Sequence, residues 1–95
     1  MEFLPEALVD AEETTRFYES RVPGLGRRFR TELETICAEI DRQPLLWNER
    51  TGGYRRANLP GFPHYVAYFL RGDRIVVVAI GHAGRHPDYW KKRPF

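Results

Sequence analysis

Residues 75 to 80 read IVVVAI, six apolar residues with no polar one between them. A strand with one wet face would alternate, so this run predicts a strand covered on both sides and placed in the middle of a sheet. The rest of the fold follows from that requirement. Other strands must flank it, helices must cover one face, and further apolar side chains must cover the other. The chain has 95 residues, enough for one domain spanning 1–95 and one core, with roughly two thirds of the unfolded surface buried on folding.

The helices lie before the strands. Met1 to Leu4 (MEFL) is short and apolar, and Pro5 with Glu6 supplies a proline at a first helical position and a carboxylate in the first turn, where the helix dipole favours it. Leu4, Ala7, Leu8, Ala11, Tyr18 and Val22 then recur at three- and four-residue spacing until Pro23 and Gly24. In the second helix Leu25, Phe29, Leu33, Ile36 and Ile40 step by four, four, three and four, and Pro44 stops the run. The two form an antiparallel hairpin, each with one apolar stripe.

LLWNERTGG at 45–53 reads as a loop ahead of a strand at 54–59 (YRRANL). Pro60-Gly61 turns the chain, HYVAYFL at 64–70 is rich in strand formers, and Gly72-Asp73 gives a tight hairpin turn before Ile75. The expected class is α+β: an N-terminal edge strand (MEFL), the helix hairpin, a three-stranded antiparallel meander and a short C-terminal tail. Phe29, Leu33, Ile36 and Ile40 are expected to face Val76, Val78 and Ile80 or their neighbours.

Charged residues at 29% and a mean hydropathy of -0.54 leave no room for a membrane span, which needs about 20 apolar residues in a row. No basic and then apolar leader opens the chain, and the single Cys37 has no intrachain disulfide partner. The expectation is a cytoplasmic protein. Net charge is +2, but residues 1–43 hold ten acidic and six basic residues, whereas 44–95 hold three and nine together with all three histidines. Such asymmetry suggests a face for an anion, although chance clustering produces it too.

The chemistry gathers after the apolar run, in GHAGRHPDYW at 81–90. His82 is suited to proton transfer near neutral pH, Arg85 can hold an anion, and Tyr89 can donate a hydrogen bond or a proton. Arg55 and Arg56 are adjacent on a strand, so their side chains point to opposite faces and only one can enter a given groove. One of them beside His82 and Arg85 on the open side of the sheet would complete a base, an acid and positive charge on a phosphate. The alternative is structural, with the aromatic tail packing over the sheet and Arg85 pairing with Asp88 or a helix carboxylate. His82 and His86 have the spacing of a helical metal pair, but Gly84 and Pro87 disfavour a helix and no further ligand completes a set, so no metal is expected. No phosphate-binding, dinucleotide or acyl-transfer signature is present, and no cofactor is implied.

Several segments, FLPEAL (3–8), Tyr18, GLGRRF (24–29), IDRQPLLW (40–47), YRR (54–56), FPHYVAY (62–68) and HAGRHPDYWKKR (82–93), in this order along nearly the whole chain, resemble the RelE/ParE superfamily of toxins, in particular its ParE-like plasmid-stabilisation group. The resemblance implies the same β, α, α, β, β, β order, an open sheet face carrying the functional cleft, and a toxin that arrests growth and is neutralised by a small antitoxin. Two targets follow from the family. ParE-like members inhibit DNA gyrase without catalysis, whereas RelE-like members cut mRNA on the ribosome.

In the second case His82, Arg85 and Tyr89 would be catalytic in a metal-independent endoribonuclease; in either case Arg55, Arg56, Arg85, Trp90 and Arg93 are the residues expected to bind the target. The sheet lysines frequent in RNA-cutting members are absent, which favours the gyrase reading; an inert member kept for its antitoxin is the third. MEFL is shorter than the family's usual first strand, which implies a weak edge or a start upstream of Met1.

Overall fold

The computed structural model describes residues 1–94; the expected domain of 1–95 ends on Phe95, which lies outside them. Its elements are β1 (Glu2–Phe3), α1 (Pro5–Arg21), α2 (Leu25–Arg42), β2 (Arg55–Asn58), β3 (His64–Arg71), β4 (Arg74–His82) and α3 (Asp88–Lys91). Pro5 opens α1 with Glu6 in its first turn. The link to α2 is tightened by Glu19, whose carboxylate accepts the backbone N–H groups of Gly24 at 2.9 Å and Gly26 at 3.1 Å. These bonds supply the N-terminal partners that α2 lacks in its own sequence and hold the Glu19 carboxyl below its usual pKa. At Gly26 a Cβ would lie 2.6 Å from the Thr15 carbonyl oxygen, so the close approach of the two helices depends on this glycine.

The sheet has four strands in the order β1-β4-β3-β2. It is mixed and is not the three-stranded antiparallel meander expected. β2, β3 and β4 do run antiparallel in sequence order, but β1 adds in parallel on the far side of β4, pairing Glu2 with Val76 and Phe3 with Val77. This places IVVVAI between two strands, and Val77, Val78 and Ala79 have no exposure.

One core lies between the helices and the sheet, where Ala7, Phe29, Leu33, Ile36 and Ile40 meet Val66, Tyr68, Ile75, Val77 and Ile80. A second, on the helix-free face, gathers Tyr54, Tyr65, Ala67, Val76, Val78, Ala79 and Trp90. The expected alignment of Val76 and Val78 under the helices fails for a definite reason. The β3–β4 register slips between Ala67 and Tyr68, which pair with Ala79 and Val77 and leave Val78 as a bulge. Ile75 and Val77 face the helices, Val78 and Ala79 both turn away, and Ile80 returns to the helix side.

One further expectation needs correction. Leu8 and Val22, assigned to the buried stripe of α1, are 55% and 53% exposed. Within the short C-terminal tail, Asp88–Lys91 form a helical turn that carries Trp90 onto the second core. Gly81 makes room there: a Cβ would lie 2.2 Å from Tyr65 Cζ, and the Tyr65 hydroxyl accepts the Trp90 indole N–H at 2.8 Å. Among the described residues no helix is long and apolar enough to cross a membrane.

Candidate functional site

β4 is longer than the strand that covers its outer edge. β1 reaches only Val76 and Val77, and the Leu4 N–H closes on the Val77 carbonyl at 2.9 Å. Past that point the backbone would present unpaired donors and acceptors, costly if buried and adhesive if exposed. Three side chains take the place of the missing strand. Arg93 Nη1 donates to the Val78 carbonyl at 3.0 Å, Asp10 Oδ2 accepts the Ile80 N–H at 3.0 Å, and the Tyr89 hydroxyl oxygen accepts the His82 N–H at 3.3 Å. Arg93 also forks onto Asp10 at 2.6 and 2.9 Å, with both side chains about five-sixths buried.

At the end of β4 the backbone leaves the sheet in a tight turn. His82 Nδ1 accepts the Gly84 N–H at 2.8 Å, and the His82 carbonyl accepts the Arg85 N–H at 3.0 Å. The ring faces α1 and meets His64, its cross-strand partner on β3, edge to face at 4.9 Å. His64 Nδ1 lies 3.4 Å from the Tyr18 hydroxyl. His64 is 7% exposed. Burial, and after it the neighbouring His82, push its pKa down to about 4, so it is neutral at pH 7. A cavity of about 300 Å³ opens here, lined by Thr14, Tyr18, His64, His82, Arg85 and Tyr89 among others. Arg85 is exposed, with its guanidinium carbon 3.7 Å from the centre of the Tyr89 ring. Burial raises the Tyr89 pKa, partly offset by the bond from the His82 N–H, so the phenol keeps its proton.

The structure thus brings His82, Arg85 and Tyr89 together and separates them from the two strand arginines. Arg56 points to the helix-free face, its guanidinium 4.0 Å over the Tyr65 ring and its Nε donating to Asn58 Oδ1 at 3.0 Å. Arg55 does point to the helix side, but it donates to the Trp47 carbonyl at 2.6 Å and pairs opposite Tyr68, four residues along β3 from His64. That is about 13 Å of strand. The expected grouping of His82 and Arg85 with Arg55 or Arg56 on the open side of the sheet does not form. Trp90 is 1% exposed inside the second core, and Arg93 is committed to Asp10 and Val78. Both hold the tail in place.

What remains at the end of β4 is a shallow cavity with one exposed guanidinium, two imidazoles, two phenols and, on the α1 side, the carboxylates of Glu13 and of Asp10, the latter paired with Arg93. It can bind an anionic or hydrogen-bonding group. It does not place a second cation across a phosphate from Arg85. No group of three or more metal-ligating side chains occurs among the described residues.

Asp10, Tyr18 and His64 belong to this site and escape a sequence reading. Asp10 looks like one more solvated carboxylate on α1, and Tyr18 like one more member of its stripe. His64 has a signal, as the opening residue of a strand joined by a hairpin to the one that carries His82. A strict register from the Gly72-Asp73 turn, however, puts Gly81 opposite His64, and only the bulge brings His82 there.

The family model for the ParE toxin of type II toxin–antitoxin systems, parDE, matches residues 1–87. No curated protein matches the chain. Among solved structures it is similar to a chain of the "Chromosomal ParDE TA system from P. aeruginosa", with a TM-score of 0.75 at 14% identity over 85% of this chain and 91% of that one. At that identity the likeness speaks for the fold. The matched span includes His82 and Arg85 and stops short of Tyr89, Trp90 and Arg93. With the model covering all but the last eight residues, the chain belongs to the ParE toxin family of type II toxin–antitoxin systems.

Proposed function

We propose that the protein arrests growth by binding DNA gyrase, and that a small antitoxin from the same module neutralises it. The observation that carries the choice of binding over RNA cleavage is the separation of charge by the sheet. Arg56 lies on one face, His82 and Arg85 lie at the end of the other, and Arg55 is held by the Trp47 carbonyl. In-line cleavage by a 2′-hydroxyl needs a base, an acid and phosphate-holding cations around a single phosphorus atom. Among the described residues Arg85 is the one exposed cation lining the cavity, and the Tyr89 hydroxyl is turned toward the His82 N–H. In this reading Arg85 and the cavity beside it form a contact surface, and His82 shapes the turn that presents them.

The test is induction of the protein in growing bacteria, with DNA-damage signalling and transcript integrity followed together. Damage signalling with intact mRNA supports the proposal. Site-specific mRNA cleavage without damage signalling contradicts it and favours the ribonuclease reading.

A further inference from the structure

The helix-free face of the sheet carries an aromatic row unrelated to the cavity at the end of β4. Ring centroids run from Tyr65 to Trp90 at 6.5 Å, from Trp90 to Tyr54 at 4.9 Å and from Tyr54 to Phe69 at 6.3 Å. Three cations flank it. The Arg56 guanidinium lies 4.0 Å over Tyr65, Lys91 Nζ lies 5.5 Å from the centre of Tyr54, and the Arg71 guanidinium lies 5.4 Å from the centre of Phe69. Among the described residues neither Arg56 nor Lys91 has a carboxylate within ion-pair distance, whereas Arg74 and Arg93 each have one. Between Tyr54, Phe69, Trp90 and Lys91 a pocket of about 210 Å³ opens beside Gly52.

An apolar pocket lined by Lys91, with the Arg56 guanidinium further along the same face over Tyr65, calls for a ligand that supplies one apolar anchor and more than one negative charge. We infer that this face is a docking site for an acidic protein segment, whose apolar side chain enters the Tyr54–Phe69–Trp90 pocket while flanking carboxylates pair with Lys91 and Arg56. Charge complementarity and the pocket argue for it together. Buried anchors carry most of the energy of such contacts, and charges at the rim set orientation and encounter.

A single-stranded nucleic acid would share the negative charge but would need open ring faces for its bases to stack on. Tyr65 and Trp90 are each 1% exposed and Tyr54 is 7% exposed, so the row offers no run of open ring faces, only the one pocket beside the partly exposed Phe69. The inference goes beyond the gyrase reading and does not depend on it, because binding is read on purified protein without any toxicity measurement.

The test is calorimetric titration of the folded chain with a synthetic nine-residue peptide in which a central Phe is flanked on each side by Glu and Asp, with the Trp90 indole N–H followed by NMR. The docking site predicts saturable binding that shifts the Trp90 resonance and weakens with salt. Changing the central Phe to Ala, or replacing the flanking acids with Lys, should each cost about tenfold or more in affinity. On the protein side, Lys91→Glu with Arg56→Glu should cost at least about tenfold. Lys91→Met with Arg56→Gln, which adds no negative charge, should cost less but in the same direction. Circular dichroism melts of each variant keep loss of binding separate from loss of fold. Equal affinity for the Lys-flanked peptide, a shift at His82 rather than Trp90, unchanged affinity in folded variants, or preference for a single-stranded oligonucleotide over the peptide would each overturn the inference.

Discussion

Asp10 on α1 and Arg93 in the C-terminal tail, 83 residues apart in sequence, meet at 2.6 Å against the outer edge of β4. Asp10 at the same time accepts the Ile80 N–H, and Arg93 donates to the Val78 carbonyl. The pair therefore serves as the continuation of a strand that β1 is too short to provide, and it ties the first helix, the central strand and the tail together.

Breaking that pair on one side leaves the other charge nearly buried and unpaired. Asp10→Ala or Arg93→Ala should each cost roughly 2 to 4 kcal/mol in denaturant melts. The double variant should cost less than the sum of the two, because the orphaned charge is gone. A cost below about 0.5 kcal/mol for both single variants would show that the edge of β4 does not depend on them.

Stability should fall on acidification through His64. Its folded pKa is lowered to about 4 from an ordinary 6.5, so between those values the unfolded chain binds the proton and the folded chain does not. Stability from this group is thus fully present above about pH 6.5 and is lost as the pH drops toward 4. The loss should be on the order of 2 kcal/mol in urea melts at pH 7 and pH 4.5. His64→Phe, which retains an aromatic ring against Tyr18 and Phe29, should flatten that part of the profile. An unchanged slope in His64→Phe would mean that other groups carry the acid sensitivity.

The apolar stripes of the two helices differ in what they bury, and truncation reads the difference. Leu33 is 8% exposed in the core under the helices, so Leu33→Ala should cost roughly 2 to 5 kcal/mol. Leu8 is 55% exposed, and Leu8→Ala should change stability by less than about 0.5 kcal/mol. Equal costs at the two positions would contradict the assignment of α1's outward face.

How far this could be seen in the sequence depends on whether the pattern was local. IVVVAI announced a central strand with both faces covered, and the four-four-three-four spacing of α2 marked Phe29, Leu33, Ile36 and Ile40, all of which are buried. Register was a different matter. No residue type marks the bulge at Val78, yet it decides which valines face the helices and brings His82 opposite His64.

The parallel pairing of MEFL with β4 depends on where a long connection returns, which local propensity does not encode. At the candidate site, the residue types in GHAGRHPDYW were visible but their destinations were not. Trp90 and Arg93 could have faced a partner, and only the fold shows that one fills the second core and the other meets Asp10. The opposite faces of Arg55 and Arg56 did follow from strand geometry alone.

The exposed cation of the site separates function from fold. Arg85 touches the Tyr89 ring and has no carboxylate partner among the described residues, so Arg85→Ala should leave the melting midpoint within about 0.5 kcal/mol of wild type while removing toxicity. Toxicity that falls only in proportion to folded protein would make residues 82–90 a structural lid and nothing more.

Inhibition of purified gyrase by the purified protein, compared between the wild type and His82→Gln, tests the binding account most directly. The account predicts that the wild type blocks supercoiling and that His82→Gln, if folded, keeps most of that activity, since His82 positions a turn and transfers no proton. It is contradicted if gyrase is unaffected while the wild type cuts ribosome-bound mRNA and His82→Gln slows that cleavage by on the order of 10² to 10⁴.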